Sequence, residues 1–282
     1  MKVLKNIIKF IIMIILVVCF LFIGIFRIAT STLFDKNYVL KNLEDANFYA
    51  ETYDLVKSNF EKYIYQSGLD EEVLDNICTE EKVKEDINLI ISNIYEGTET
   101  KIDTTEIAEN LNNNINKTNV MTSKNKASIE QFVTHICDEY KETILHTNYE
   151  SKINHGFEKI NNILQKIYKV VIIVTIISII ILFILNGKKI SKDIQDLGIM
   201  LFSTGTFCLC CSNVFISKVD VNGIKIFNDT FSKVIIAIIS DILQKIVSFG
   251  MGILVIGTIF IAIYVITVAC KKVQEDKERE EL

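Results

Sequence analysis

The 282-residue chain has no proline and no tryptophan, and Arg27 and Arg279 are its only arginines. Without proline, no helix here is kinked through a missing backbone N–H. The accompanying abundance of Ile, Lys and Asn is what the codons of an AT-rich genome deliver, and it is not read as chemistry. Catalytic motifs are absent as well. There is no HExxH, no glycine-rich phosphate loop, no GxSxG and no convincing acid pair, so no enzyme is expected and no cofactor is called for. Charge is missing from the centres of the apolar runs at 170–185 and 246–269, which argues against an ion-coupled transporter. The little sequence expected on the cytoplasmic side leaves no room for an output domain or an ATPase.

What is present is apolar length. Half of the residues are hydrophobic although 23% are charged, and the mean hydropathy is +0.33. A bilayer core needs about 20 apolar residues per helix. Four runs approach that length: Ile7–Ala29, then about 170–185, 197–217 and 246–269. The fold class expected is an all-α membrane protein with four transmembrane helices and a helical-bundle extracytoplasmic domain between spans 1 and 2. Its parts are an anchor (1–30), the outer domain (31–167) and a three-span domain (168–282).

Lysines orient this layout. Lys2, Lys5 and Lys9 precede or open the first run, Lys188, Lys189 and Lys192 follow the second, and Lys271 and Lys272 follow the fourth. By the positive-inside rule all three clusters are cytoplasmic. Both termini then face the cytoplasm and residues 31–167 face outward, in a multi-pass protein of the plasma membrane. A cleaved signal peptide is the competing reading of the first run. Its apolar core exceeds the usual 7–15 residues and Arg27–Thr32 offers no small-x-small site, so a retained anchor is expected. In the third run Ser203, Thr204, Gly205, Thr206 and Ser212 dilute the hydrophobicity, as small residues do where membrane helices pack closely.

Residues 31–167 carry 14 Lys against 25 Asp and Glu, a balance of −11 within a chain of net charge −5. An acidic domain repels nucleic acid and anionic lipid surfaces. The partners expected are the bilayer and a protein in the membrane or cytoplasm, with no nucleic acid. The apolar period is helical throughout. One stripe runs Val39, Leu43, Ala46, Tyr49, Tyr53, Val56, Phe60 and Tyr63, ending at Gly68. Asp70 can cap a short turn, Thr79 a helix through Val83, Ile87, Ile90 and Ile94 that stops at Gly97, and Asp103 with Glu106 one through Ile107, Leu111 and Ile115. Asn112–Asn125 reads as a loop. Two further stripes follow: Ile129, Phe132, Val133, Ile136, Tyr140 and Ile144, then Ile153, Phe157, Ile160, Leu164 and Ile167. One bundle core would bury them all.

The stretches Tyr63-Ile-Tyr-Gln-Ser-Gly-Leu-Asp-Glu-Glu-Val-Leu, Thr79-Glu-Glu-Lys-Val-Lys-Glu-Asp-Ile-Asn and Asn93-Ile-Tyr-Glu-Gly resemble uncharacterised four-span integral membrane proteins of low-GC Gram-positive bacteria, of clostridial type. The resemblance implies a plasma-membrane location and a helical outer domain. It carries no activity or site residues.

Three constellations can carry chemistry. His135, Glu139, Glu142, His146 and Glu150 lie three or four apart on one helical face, with His155 the only other histidine. Two imidazoles and several carboxylates suit a zinc-like ion, whereas a solvated polar face explains most such stripes, so no metal is expected. Cys78 and Cys137 can pair outside the cytoplasm, with two buried free thiols as the alternative. Cys208, Cys210 and Cys211 have a soft-metal spacing, but inside a membrane helix they read as small fillers.

Near the last span, 218–226 alternates around Asn222-Gly223 and predicts a small outer hairpin. Residues 230–245 predict an amphipathic helix on the outer surface or under the bundle. Lys271–Leu282 reads as a mixed-charge extension of the last helix, a solvated end. The function expected is a non-enzymatic membrane protein whose outer domain binds or senses an envelope ligand or protein partner. The alternative is an accessory or permease-like subunit of a transport complex, and a membrane enzyme using the His/Glu stripe ranks last.

Overall fold

The structure, a computed structural model, describes residues 2–67, 69–118, 126–145, 150–187, 189–218, 223 and 229–280. Among them the regular structure is helical throughout. The order is α1 (Lys2–Thr30), α2 (Lys36–Asp45), α3 (Phe48–Ser67), a 3-10 turn (Glu71–Leu74), α4 (Glu80–Glu96), α5 (Thr105–Lys117), α6 (Lys126–Leu145), α7 (Glu150–Asn186), α8 (Ile190–Lys218) and α9 (Asp229–Glu280). Four stretches are long and apolar enough to cross a membrane: Val3–Thr30, Gly156–Asn186, Ile190–Lys218 and Phe231–Gln274. The chain is a multi-pass membrane protein by that measure. The hairpin expected at 218–226 lies almost wholly outside the described residues.

The chain divides into two compact units, one of Met1–Thr32, Ile163–Ile224 and Ile236–Leu282, the other of Leu33–Asn162 and Lys225–Ile235. In the first, the membrane unit, Ile12 and Leu16 of α1 meet Leu182 of α7 and Met200 of α8 in a buried cluster. Leu16 is fully buried, while Ile11, Ile15 and Val18 beside it are exposed. That apolar exterior suits a hydrocarbon solvent, in which hydrophobicity no longer drives helices together and close packing must.

Close packing is visible between α8 and α9. A Cβ on Gly205 would lie 2.6 Å from both the Gly250 carbonyl oxygen and the Leu254 nitrogen. One on Gly198 would lie 3.0 Å from the Ile261 nitrogen, and one on Gly257 would run into the Phe202 backbone. Gly198 and Gly205 of α8 thus face Gly257 and Gly250 of α9 in antiparallel order, backbone against backbone. Thr204 and Ser212 are buried beside them, whereas Ser203 is exposed. Of the small residues singled out in the third run, only part of the set lies on the packed face.

The second unit is a helical bundle. Its core takes Leu43 from α2, Tyr49, Val56, Phe60 and Ile64 from α3, and Val83 and Ile87 from α4. Helix α5 adds Ile107, Leu111 and Ile115, all fully buried, and α6 adds Ile129, Phe132, Ile136 and Tyr140. Each such aliphatic side chain contributes about 1.5–3 kcal/mol when buried. Both ends of α4 fall where the sequence places them, whereas the start of α5 lies one residue beyond the expected Asp103 cap. Thr79 Oγ1 accepts from the Lys82 N–H at 3.2 Å, and Gly97 ends α4 in the left-handed conformation at φ 68°. Asp103 accepts from the backbone N–H and hydroxyl of Thr105; Thr104 is the residue at the cap of α5.

Four expectations need correction. The stripe from Val39 to Tyr63 is two helices, because Asn47 turns the chain at φ 56° and its N–H bonds back to the Glu44 carbonyl. Asparagine tolerates that region. The Asn-rich segment is helical as far as Lys117, because Leu111 and Ile115 keep the apolar period within it. Residues 229–280 form one unbroken helix, so the segment 230–245 runs on into the span instead of forming a separate amphipathic helix, and the tail extends the same helix as expected. Finally, Ile160 and Ile167 of α7 are exposed rather than core, and both lie inside the membrane-competent stretch that starts at Gly156. Phe157 does pack, against Phe34 and Tyr95.

The glycine seam yields a direct test. Gly257→Leu should destabilise the solubilised protein by about 1–3 kcal/mol or more through overpacking, read as a fall in its thermal unfolding midpoint. Gly252, whose Cβ position meets nothing within 4 Å, should accept the same change with little effect. Equal behaviour of the two variants would rule out the seam.

Candidate functional site

Helix α5 presents two faces. Ile107, Leu111 and Ile115 point into the core, and Asn110, Asn113, Asn114 and Lys117 fall between them at spacings of three and four. Asn114 is consumed in holding the helix to the 3-10 turn. Its Nδ2 donates to the carbonyls of Val73 at 3.2 Å and Asp75 at 2.7 Å, and its Oδ1 accepts from Lys117 at 3.3 Å. This contact fixes two walls of an open groove of about 450 Å³, with Asn110, Asn113 and Lys117 on one side and Glu72, Asp75 and Asn76 on the other. The volume lies within the range of small-molecule sites, roughly 300–1,000 Å³. A smaller groove of about 140 Å³ adjoins it across Asp75 and Asn76 and is walled by Tyr53, Lys57, Phe60 and Leu74.

A second polar cluster lies inside the bundle. Asp86, 4% exposed, accepts from the Lys82 ammonium at 2.9 Å and from the fully buried Tyr140 hydroxyl at 2.6 Å. Burial first, and then the bond to Asp86, holds the Tyr140 phenol far above its ordinary range, so it stays a donor at every physiological pH. The neighbouring Cys78 thiol is pushed up to about 11, chiefly by burial. The cluster ties α4 to α6, and it is closed to ligands.

Two members of the His/Glu stripe of α6, His135 and Glu139, meet α3. Tyr63 donates to Glu139 Oε2 at 2.9 Å, and Thr143 donates to Oε1 at 3.4 Å. Asn59 in turn donates to the Thr143 hydroxyl, and the His135 ring stacks on Tyr63 with centroids 6.5 Å apart. The bond to Glu139 raises the Tyr63 pKa. Glu142 is exposed; His146 lies outside the described residues, as do the side chains of Glu150 and His155. Among the described residues no group of three His, Cys, Asp or Glu side chains is arranged to hold a metal. Cys78 and Cys137 are free thiols with separate partners, Cys137 donating to the Thr104 carbonyl at 3.8 Å.

In the membrane unit, two carboxylates that the apolar runs excluded are buried. Asp193 and Asp196, each 3% exposed, sit in the first turns of α8, inside its membrane-competent length. The Asn186 amide donates to both at 2.7 Å, and Lys9 of α1 pairs with Asp196 at 2.7 Å. The third helix therefore carries buried charge in its first turns, which the charge-free reading of the second and fourth runs did not cover. Hydropathy starts this span at 197, just past the two acids, whereas the helix begins at Ile190. Their three-residue spacing beside a lysine-rich turn was the signal that could have revealed them. The groove was missed for a related reason, since reading 112–125 as a loop hid the amide face of α5.

The chain matches no protein-family model, no curated protein and no solved structure.

Two outcomes follow from these clusters. Alkylation needs the thiolate, and a pKa raised to about 11 leaves Cys78 protonated at pH 8. Relative to an ordinary thiol its N-ethylmaleimide rate there should fall by about a hundredfold, two pKa units, and should rise with pH up to about 11. A rate equal to that of the unfolded chain would refute the burial. Asp196→Asn should cost about 2–4 kcal/mol, because it leaves the Lys9 ammonium without its carboxylate. Thermal unfolding in nanodiscs measures this, and an unchanged midpoint would show that the pair contributes nothing.

Proposed function

We propose that this protein is a non-enzymatic integral protein of the plasma membrane, with both termini cytoplasmic and residues 31–167 outside. Its outer helical domain binds or senses an envelope ligand or protein partner. The groove carries this reading. The side chains of Asn110 and Asn113, and of Glu72 and Asp75 opposite, make no hydrogen bond among the described residues, and the groove's walls are fixed by Asn114. Free polar groups on a braced surface are what a recognition site requires, whereas the other polar clusters of the bundle are consumed in its own packing. Lysine placement and the resemblance to clostridial-type four-span proteins support the location.

A second reading draws on the membrane unit. Buried ionisable residues within membrane helices usually mark transport or relay paths. The Lys9–Asp196–Asn186–Asp193 cluster therefore favours, as the alternative, an accessory or permease-like subunit of a transport complex.

One experiment addresses both binding and orientation. Asn113→Cys, made with Cys210, Cys211 and Cys270 replaced by serine, is labelled on intact cells with a membrane-impermeant photo-crosslinking maleimide. Labelling without lysis and a light-dependent mass-shifted adduct are expected. Glu85→Cys on the exposed side of α4 should label but give no adduct. Labelling only after lysis would reverse the orientation. No adduct, or equal adducts from both positions, would defeat the binding reading.

A further inference from the structure

We propose that the α5 groove recognises a neutral saccharide. This deepens the binding reading above and rests on it. The argument starts from the donors and acceptors that are left over. A carboxamide presents an N–H donor and a carbonyl acceptor side by side. Asn76, Asn110 and Asn113 bring three of them to one groove, and no intramolecular bond uses them among the described residues. A vicinal pair of sugar hydroxyls, each a donor and an acceptor, is the complement of such an amide. Glu72 and Asp75 supply pure acceptors for the remaining hydroxyl protons, and Lys117, which also donates to Asn114 Oδ1, supplies further N–H donors.

The same inventory argues against anionic and apolar ligands. Two carboxylates against one ammonium repel phosphate, sulfate and acidic peptides. An apolar ligand finds nothing to bury against in a groove whose walls are amide, carboxylate, hydroxyl and ammonium. The amide wall is also held in place. Asn114 locks α5 to the carbonyls of Val73 and Asp75, and the Thr118 hydroxyl is turned back onto the Ile115 carbonyl at 2.7 Å.

Saccharides also have apolar ring faces, and the adjoining groove fits that need. Across Asp75 and Asn76 it offers the half-buried Tyr53 ring and Leu74. The two grooves share the Asp75–Asn76 corner, where Asn76 holds φ 55° and turns the chain between them. A disaccharide laid over this corner would hydrogen-bond in the larger groove and place a ring face against the smaller. A divalent cation is the chief competitor, since it would use the two carboxylates and leave the amides idle.

The test uses the full chain in lipid nanodiscs free of glycoside detergents, with cellobiose and N,N′-diacetylchitobiose as probes and calcium chloride as the competing arm. Isothermal titration and saturation-transfer NMR should detect at least one saccharide. N110L/N113L should weaken it at least tenfold with an unchanged helical spectrum and unfolding midpoint. E72Q/D75N, which keeps hydrogen-bonding groups on the opposite wall, should fold alike and retain most of the binding. Saccharide binding that is indifferent to N110L/N113L would overturn the assignment to this groove. Failure of both sugars, or calcium binding that E72Q/D75N abolishes in their place, would overturn the saccharide class. An Asn113-dependent crosslink on cells would then still stand for the broader reading.

Discussion

Hydrocarbon offers no partner to a backbone N–H or carbonyl, and this constraint shapes everything else in the chain. A membrane-crossing segment must satisfy its own polar backbone, so it is a helix or a closed barrel. Four apolar stretches of this protein meet the condition as uninterrupted helices. The absence of proline removes the commonest cause of a break. In α9 the result is a single helix of 52 residues, about 78 Å at 1.5 Å per residue.

Polar groups follow the same logic. The buried carboxylates among the described residues have specific partners: Asp86 with Lys82 and Tyr140 in the bundle, Asp193 with Asn186, and Asp196 with Lys9 and Asn186 in the membrane unit. Pairing keeps the cost of burying charge tolerable but makes each member depend on the others. The α5 groove departs from this rule, and its unpaired amides and carboxylates stay in water. That contrast distinguishes a surface available to another molecule from polarity used to hold the fold.

Much of this was legible in the residues. Helical periodicity placed the core stripes of α4 and α6, and Thr79 and Gly97 marked the ends of α4 because a cap needs a hydroxyl and a left-handed terminus needs glycine. Periodicity could not show the break at Asn47, since the apolar spacing continues across it while only the backbone torsion changes. Composition misled at Asn112–Lys117. Asparagine favours loops locally, but Leu111 and Ile115, both fully buried, hold the segment helical through tertiary packing. Hydropathy stops the third span short of its two acids because it scores a residue alone and takes no account of Lys9, more than 180 positions away in sequence. Within the α6 stripe, Glu139 is engaged by Tyr63 of α3, which no spacing within α6 reveals.

The glycines of the α8–α9 seam constrain more than distance. Gly198 and Gly205 are seven residues apart, as are Gly250 and Gly257, and each pair opens onto the other helix's backbone. Such a seam works as a vernier. An axial slip of one turn would set Phe202 or Leu254 where only a hydrogen atom fits, and the next coincidence lies a full heptad away. Any rearrangement between these two helices must therefore begin by separating them sideways. Movement along their common axis is locked by side chains that are not there.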